Sequence, residues 1–208
     1  MTADGDSPER SRSGLPASLV LATRNAHKVA EMRRLFEAAG IEIESLGDEV
    51  ELPPEDGATF ADNALPKALA AAAALGRPAI ADDSGIEAAA LGGRPGVRSA
   101  RFAGAQATDE ENLLKLIEEV PVESRLRYVC ALAYVNPETG EERVFFGDCR
   151  GRMAGERRGS GGFGYDPVFV ADEGDGRTFA EMGDEKHEIS HRGRAFRALA
   201  AKLSDLQA

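Results

Sequence analysis

The sequence predicts a mixed α/β fold, on three observations. A short run of buried-strand character, Leu19-Val20-Leu21-Ala22, leads straight into a helical apolar pattern. The middle of the chain carries hairpin signals, and the chain ends on a further amphipathic stretch. Strands separated by helices at the start and joined by a hairpin later favour a mixed sheet over a purely parallel one.

The elements follow in order. From Ala26 to Ala39 the apolar residues Val29, Met32, Leu35, Phe36 and Ala39 recur at helical spacing, and Gly40 supplies the stop. Ile41 and Ile43 alternate with polar neighbours, as in a half-exposed strand. Thr59 caps a helix that runs through Asn63 and Lys67 to Leu75-Gly76. Pro66 inside it removes one backbone donor and predicts a kink. Pro78-Ala79-Ile80-Ala81 reads as a short strand that ends at Asp82-Asp83-Ser84-Gly85. Thr108 and Glu111 form a capping box before a helix with Leu113, Leu114, Leu116, Ile117 and Val120 inward. Tyr128 to Val135 and Val144 to Phe146 flank Asn136-Pro137-Glu138-Thr139-Gly140 as a hairpin, with a further strand near Cys149 to Met153. Phe196, Leu199, Leu203 and Leu206 make the apolar stripe of the last helix. Met1 to Gly14 is rich in Ser, Asp, Arg and Gly and has no apolar signal region, so residues 1–17 read as a disordered tail ahead of one domain over 18–208.

Composition narrows the function. Acidic residues number 36 against 25 basic ones, a net charge of −11, which argues against gripping nucleic acid through an overall field. A small anion remains compatible, because local lysines, arginines and backbone N–H groups, with a metal, override the global sign. No apolar run reaches the roughly 18 residues of a membrane span. Cys130 and Cys149 are too few for a disulfide framework and read as buried reduced thiols, which predicts a cytoplasmic protein; no Cys/His spacing suggests zinc.

Five segments can carry chemistry. Thr23-Arg24-Asn25-Ala26-His27-Lys28 lies between a strand and a helix start, where free N–H groups attract an anion; a plain Thr/Asn cap with a solvated lysine explains it equally well. Asp82-Asp83-Ser84-Gly85 offers adjacent carboxylates that point different ways, one to bind a cation or take a proton and one to brace; an Asx turn is the alternative. Glu55 is a second metal carboxylate or an ordinary acidic loop residue, while Asn63 and Lys67 share one helix face. In Gly159-Ser160-Gly161-Gly162-Phe163-Gly164-Tyr165-Asp166-Pro167 the glycines let backbone approach a flat ligand, Phe163 offers a stacking face, and Asp166 can accept from a ring N–H. Lys186 with Ser190-His191-Arg192 places donors ahead of the last helix; His187 reads as incidental.

Taken in this order, the segments resemble the Ham1/inosine-triphosphatase family. Its members carry Thr-Gly-Asn-x-x-Lys, a Thr-Phe-x-x-Asn-Ala…Lys-Ala helix, Asp-Asp-Ser-Gly, Gly-Gly-x-Pro-Gly-x-x-Ser-Ala-Arg, Gly-Gly-Phe-Gly-Tyr-Asp-Pro and Ser-His-Arg. Here these stand at Thr23 to Lys28, Thr59 to Ala68, Asp82 to Gly85, Gly92 to Arg101, Gly161 to Pro167 and Ser190 to Arg192. The resemblance implies an elongated mixed sheet flanked by helices, in two lobes with a central cleft, and a homodimer. It implies a Mg²⁺-dependent enzyme that hydrolyses the non-canonical purine nucleotides ITP, dITP and XTP to the monophosphate and pyrophosphate. By the same resemblance Thr23, Asn25, Lys28 and Lys67 hold the triphosphate, and Arg24, Ala26 and His27 of the same turn count among the substrate-binding residues. Asp83 is the catalytic carboxylate and a metal ligand, Glu55 the second ligand, and Asp82 their support. Ser84 contacts substrate, while Phe163, Gly164, Tyr165, Asp166, Lys186, His191 and Arg192 enclose and read the base. Arg24 stands where the family commonly has glycine, which opens the reading of an added phosphate contact.

The expected chemistry is direct hydrolysis, with Asp83 orienting or deprotonating a water that attacks the α-phosphorus. A donor aimed at a 6-oxo group would oppose the amino group of adenine. Two other readings stay open: a pyrophosphatase for pyrimidine or ordinary nucleotides, as in the related Maf-like group, and a non-catalytic nucleotide sensor. A pure binder has no need of the acidic set Asp82, Asp83 and Glu55, and a structural adaptor has none of the glycine-rich aromatic loop.

Overall fold

A computed structural model describes residues 16–205; the predicted tail before residue 16, and Leu206, lie outside the described residues. Six strands form one sheet in the order β2-β1-β3-β4-β5-β6. They are β1 (Ser18–Leu21), β2 (Glu42–Ser45), β3 (Ala79–Ala88), β4 (Arg125–Asn136), β5 (Glu141–Met153) and β6 (Phe169–Ala171). The helices are α1 (Ala26–Glu37), α2 (Phe60–Leu75), α3 (Asp109–Glu119), α4 (Phe179–Met182) and α5 (His191–Asp205). β1 pairs parallel with β2 and β3, and every later pairing is antiparallel, so the sheet is mixed as predicted.

Alternation along the strands sorts the core onto two faces. On one face Leu19, Leu21, Ile80 and Leu132 pack under Met32 and Phe36 of α1 and Phe196 and Leu199 of α5. On the other, Ala79, Ala81, Ala131 and Ala133 meet Ala64, Ala68, Ala71 and Ala72 of α2. Small residues on both sides let that helix lie close to the sheet, which explains the alanine block. Beyond Ile86 a third cluster, with Leu113 and Leu116 of α3, Tyr128, Phe169 and Phe179, builds the second lobe.

Three expectations are corrected. Asp82 to Gly85 do not end a strand but lie in the middle of β3, which pairs with β4 along its whole length from Ala79↔Val135 to Ala88↔Leu126. What ends there is β1, whose pairing with β3 stops at Leu21↔Ile80. The carboxylates therefore still sit beyond the carboxyl end of a parallel strand, that of the neighbour rather than their own. Second, the hairpin's return strand and the strand near Cys149 are one strand, β5, running unbroken through Gly147. A Cβ on Gly147 would lie 2.1 Å from the His191 carbonyl oxygen and 2.5 Å from the Ala195 nitrogen, so that glycine admits α5 rather than breaking β5. Third, Leu114 and Ile117 of α3, expected inward, are exposed; α2, for its part, continues as one helix through Pro66. The ring is exposed, and Asp62, whose carbonyl loses its partner, is exposed on the same side, where water replaces the missing donor. Among the described residues no helix is long and apolar enough to cross a membrane.

Candidate active site

Local sequence sets the Thr23–Lys28 turn at the cleft. Asn25 is the N-cap of α1: its side-chain oxygen accepts from the backbone N–H of His27 at 2.9 Å and of Lys28 at 3.2 Å, and the Thr23 hydroxyl accepts from the Asn25 N–H at 3.2 Å. The capping reading of this turn is thus correct: the first-turn N–H groups of His27, Lys28 and Val29 all donate to Asn25. One turn on, the Lys28 ammonium lies 3.2 Å from the Asp82 carboxylate and 3.4 Å from the Asp82 carbonyl oxygen.

The pleat of β3 assigns its two carboxylates to opposite faces. Asp82, fully buried, faces α1 and α5: one oxygen accepts from Arg192 Nε and from the Ser84 hydroxyl, each at 3.2 Å. The other oxygen, Oδ1, has no hydrogen-bond partner. Burial alone would raise its pKa, but Lys28, Arg192 and Lys67 outweigh that and hold it far below the usual carboxylate range. Asp83 faces α2, where Asn63 Nδ2 donates to it at 2.8 Å, and its other oxygen accepts from the Ser84 N–H at 3.0 Å. Burial raises the Asp83 pKa, opposed by Lys28, by the Asn63 bond and by Lys67 and assisted by the charge of Glu55; the net direction is upward. Two neighbouring aspartates are thereby driven apart, one locked as an anion and one made more basic. Lys67 reaches over from α2 to donate to the Asp82 carbonyl oxygen at 2.8 Å and to pair with the Glu55 carboxylate, so the helix aims its lysine inward despite Pro66.

The far wall comes from the glycine-rich loop. Gly162 has φ +68°, and a Cβ there would meet Asp166 Oδ2 at 2.0 Å, so only glycine closes this turn. The Asp166 carboxylate, buried, accepts from the Tyr128 hydroxyl at 3.0 Å, Lys186 Nζ at 2.6 Å and the Phe163 N–H at 3.1 Å. Tyr165 donates to the Ser99 carbonyl at 2.7 Å, which ties the loop to the Gly96–Arg101 turn. Phe163 lies across the cleft: its ring stacks on His27 at 5.2 Å and 14°, with the Arg192 guanidinium 5.1 Å from its centroid. His191 stacks on Tyr128 at 4.6 Å and 5°, and burial with the nearby Arg192 and Lys186 holds its pKa well below 6.5. His191 and Arg192 form the first turn of α5 rather than preceding it.

These groups enclose a cleft of about 340 Å³, within the size range of small-molecule sites. Of the predicted site residues, Thr23, Arg24, Asn25, Lys28, Glu55, Lys67, Asp83, Ser84, Phe163, Gly164, Tyr165, Asp166, His191 and Arg192 line it. Ala26, His27 and Lys186 do not; His27 backs Phe163, and Lys186 is held between Asp166 and Glu31. The Arg24 guanidinium is turned onto residues 46–50 rather than into the phosphate turn. Sequence reasoning missed Glu31, whose buried carboxylate joins Lys186 at 2.5 Å and Arg192 at 2.9 Å. The signal was present: Glu31 sits beside Met32 on the apolar stripe of α1, where an acid needs partners. Tyr128 and Asn112 also line the cleft and carried no comparable signal, whereas Ser99 and Arg101, which line it too, belong to the Gly92 to Arg101 segment that carried the resemblance.

Among the described residues no group of three or more His, Cys, Asp or Glu could hold a metal. Asp83 and Glu55 nevertheless face one cleft and sense each other's charge. Such a pair suits Mg²⁺, which binds through one or two carboxylates and substrate phosphates rather than in an all-protein cage.

Comparison with known proteins agrees with this geometry. The model of the Ham1 family matches residues 19–202. A dITP/XTP pyrophosphatase of Symbiobacterium thermophilum is 50% identical over 193 residues, covering 90% of this chain and 95% of the relative. One of Cutibacterium acnes is 49% identical over 191 residues, covering 87% and 93%. Among solved structures, a HAM1 protein from Coxiella burnetii superposes with a TM-score of 0.78 at 38% identity, covering 90% of this chain and 98% of that one. A nucleoside-triphosphatase / dITP/XTP pyrophosphatase from Mycobacterium abscessus does so with a TM-score of 0.66 at 44% identity, covering 88% and 98%.

Proposed function

The chain belongs to the Ham1 family, and from that premise we propose that it hydrolyses non-canonical purine nucleoside triphosphates, dITP, XTP and ITP, to the monophosphate and pyrophosphate. It is a nucleoside-triphosphate pyrophosphatase. The observation that carries the mechanism is the division of labour on β3: Asp83, with its raised pKa, faces the cleft beside Lys28 and Lys67, while Asp82 stays buried as a fixed anion.

In this reading the triphosphate lies along the Thr23–Lys28 turn, where the ammonium groups of Lys28 and Lys67 and the positive end of α1 meet its charge. Asp83 holds the attacking water through its carboxylate and takes its proton; a raised pKa makes it a better base than an exposed aspartate. Asn63 and the Ser84 N–H fix the orientation of that carboxylate. Asp83 and Glu55 would hold Mg²⁺ together with substrate oxygens, and the ion supplies charge neutralisation at the phosphates. At the other end, His191, kept neutral by burial, and Arg192 offer donors to a 6-oxo purine, and the Phe163 ring covers the base. Adenine presents an amino group to the same donors. Cytoplasmic location and a homodimer belong to the same proposal.

Incubation with dITP, XTP and ITP and separation of the products is the test. Pyrophosphate with monophosphate is expected, and single-phosphate release overturns the assignment. A faster reaction with dTTP or a modified UTP would overturn the substrate class. Asp83→Asn is expected to lose turnover while retaining nucleotide binding; unchanged turnover moves catalysis to another group.

A further inference from the structure

Between β2 and α2 the chain runs from Leu46 to Thr59 without a helix or strand, and this connection brings Leu52, Pro53 and Glu55 to the cleft. Such a stretch has no ladder to hold it, and its ordering must come from elsewhere. The Arg24 guanidinium supplies contacts at its first part: NH1 donates to the Leu46 carbonyl at 3.4 Å and to the Asp48 carboxylate at 3.0 Å, and NH2 donates to the Asp48 and Val50 carbonyls at 3.5 and 2.9 Å. At the second part, Arg101 donates to the Glu55 carbonyl at 2.5 Å, Lys67 pairs with the Glu55 carboxylate, and the Gly57 N–H donates to Asn63 at 2.8 Å. The strand-like geometry of Asn25, φ −82° and ψ 109°, carries the chain on into α1 while the Arg24 side chain leaves the turn toward the loop.

We infer that Arg24 is a positioning residue: it does not bind phosphate, but couples the anion-binding turn to the loop that presents Glu55. A planar fork suits this task. Its two terminal nitrogens, fixed in one plane, reach acceptors spread from Leu46 to Val50, a geometry that the single nitrogen of an ammonium does not reproduce. The inference rests on the proposed function for its catalytic consequence, though not for its structural one.

The test compares Arg24→Lys, which keeps the charge, with Arg24→Ala. Hydrogen exchange on the metal-free, substrate-free protein is expected to speed up over residues 46–56 in both variants, with the amides of β3 and β4 unchanged. Exchange in that segment equal to wild type overturns the inference whatever the enzyme's substrate is. In dITP turnover both variants are expected to lose on the order of tenfold in kcat/KM, the size typical of groups that orient a metal ligand. A lysine variant close to wild type would instead identify Arg24 as a simple phosphate charge. Combining Arg24→Lys with Glu55→Gln separates the routes further. Losses smaller together than their product support action through Glu55, and full multiplicativity overturns it. If the wild type hydrolyses no purine triphosphate, the functional proposal fails while the exchange result still decides this one.

Discussion

Glu31 shows what one buried side chain does here. It accepts from Lys186 and Arg192, and through them joins α1 to the glycine-rich loop and to α5. Burial would raise its pKa, but the two cations lower it, so it stays charged. Replacing it by glutamine leaves both cations with one carboxylate fewer in a desolvated place, and breaking such a pair typically costs about 3–5 kcal/mol. Urea denaturation of Glu31→Gln is expected to show a loss of that order, and a change under about 1 kcal/mol would mean that water replaces the carboxylate. Residue identities were largely legible in the sequence: the motif residues that converge on the cleft were named from their types and order. Their directions were not. Nothing in Thr23-Arg24-Asn25 tells that the guanidinium turns to residues 46–50, because that depends on where a distant loop passes.

At the level of elements, β5 and α5 depend on one missing side chain. The backbone of α5 at His191 and Ala195 touches β5 where Gly147 stands. Gly147→Ala forces α5 outward and with it the first turn that carries His191 and Arg192. Overpacking of this kind costs about 1–3 kcal/mol, and purine selectivity should weaken alongside stability. Thermal denaturation and relative rates on dITP and dATP check both; a variant as stable and selective as wild type would mean that the helix shifts freely. The helix bounds read well from sequence because capping boxes at Thr59 and Thr108 are local, but apolar spacing misplaced Leu114 and Ile117, which α3 exposes. The strands read worse. β3 looked short because two aspartates resemble a strand's end, and β5 looked broken because a glycine between apolar stretches resembles a turn; only the packing partners distinguish these cases.

For the whole molecule, the buried titratable groups predict how stability varies with acid. His191 and His187 have lowered pKa values, both through burial first, so the unfolded chain takes up protons that the folded one refuses. Their stabilisation is complete above the ordinary histidine value and falls as pH drops through it. Asp82 and Glu31, also lowered, add a second decline as pH falls through and below the ordinary carboxylate value, whereas Asp83, raised, takes up its proton in the folded state above that value and so offsets part of the histidine decline. Each proton difference contributes about 1.4 kcal/mol per pH unit. Unfolding free energy is therefore expected to fall between about pH 7 and 5, and His191→Gln should flatten that slope; an unchanged slope assigns it elsewhere. The two-lobed cleft itself was legible only through family resemblance, since no local pattern states that β1 stops where β3 continues.

That extended β3 has a consequence of its own. The two environments are set by parity: even and odd positions along one extended strand hold the fully buried and the cleft-facing aspartate, separated only by the zigzag of the backbone. Deleting one residue between Ala79 and Asp82 would bring Asp83 into the dry cationic nook and drive Asp82 to the place of Ala81 in the apolar core, while an insertion would bring Asp82 to the groove and Asp83 to the place of Ser84. Either change would leave the cleft with one of its two carboxylate environments empty or wrongly filled.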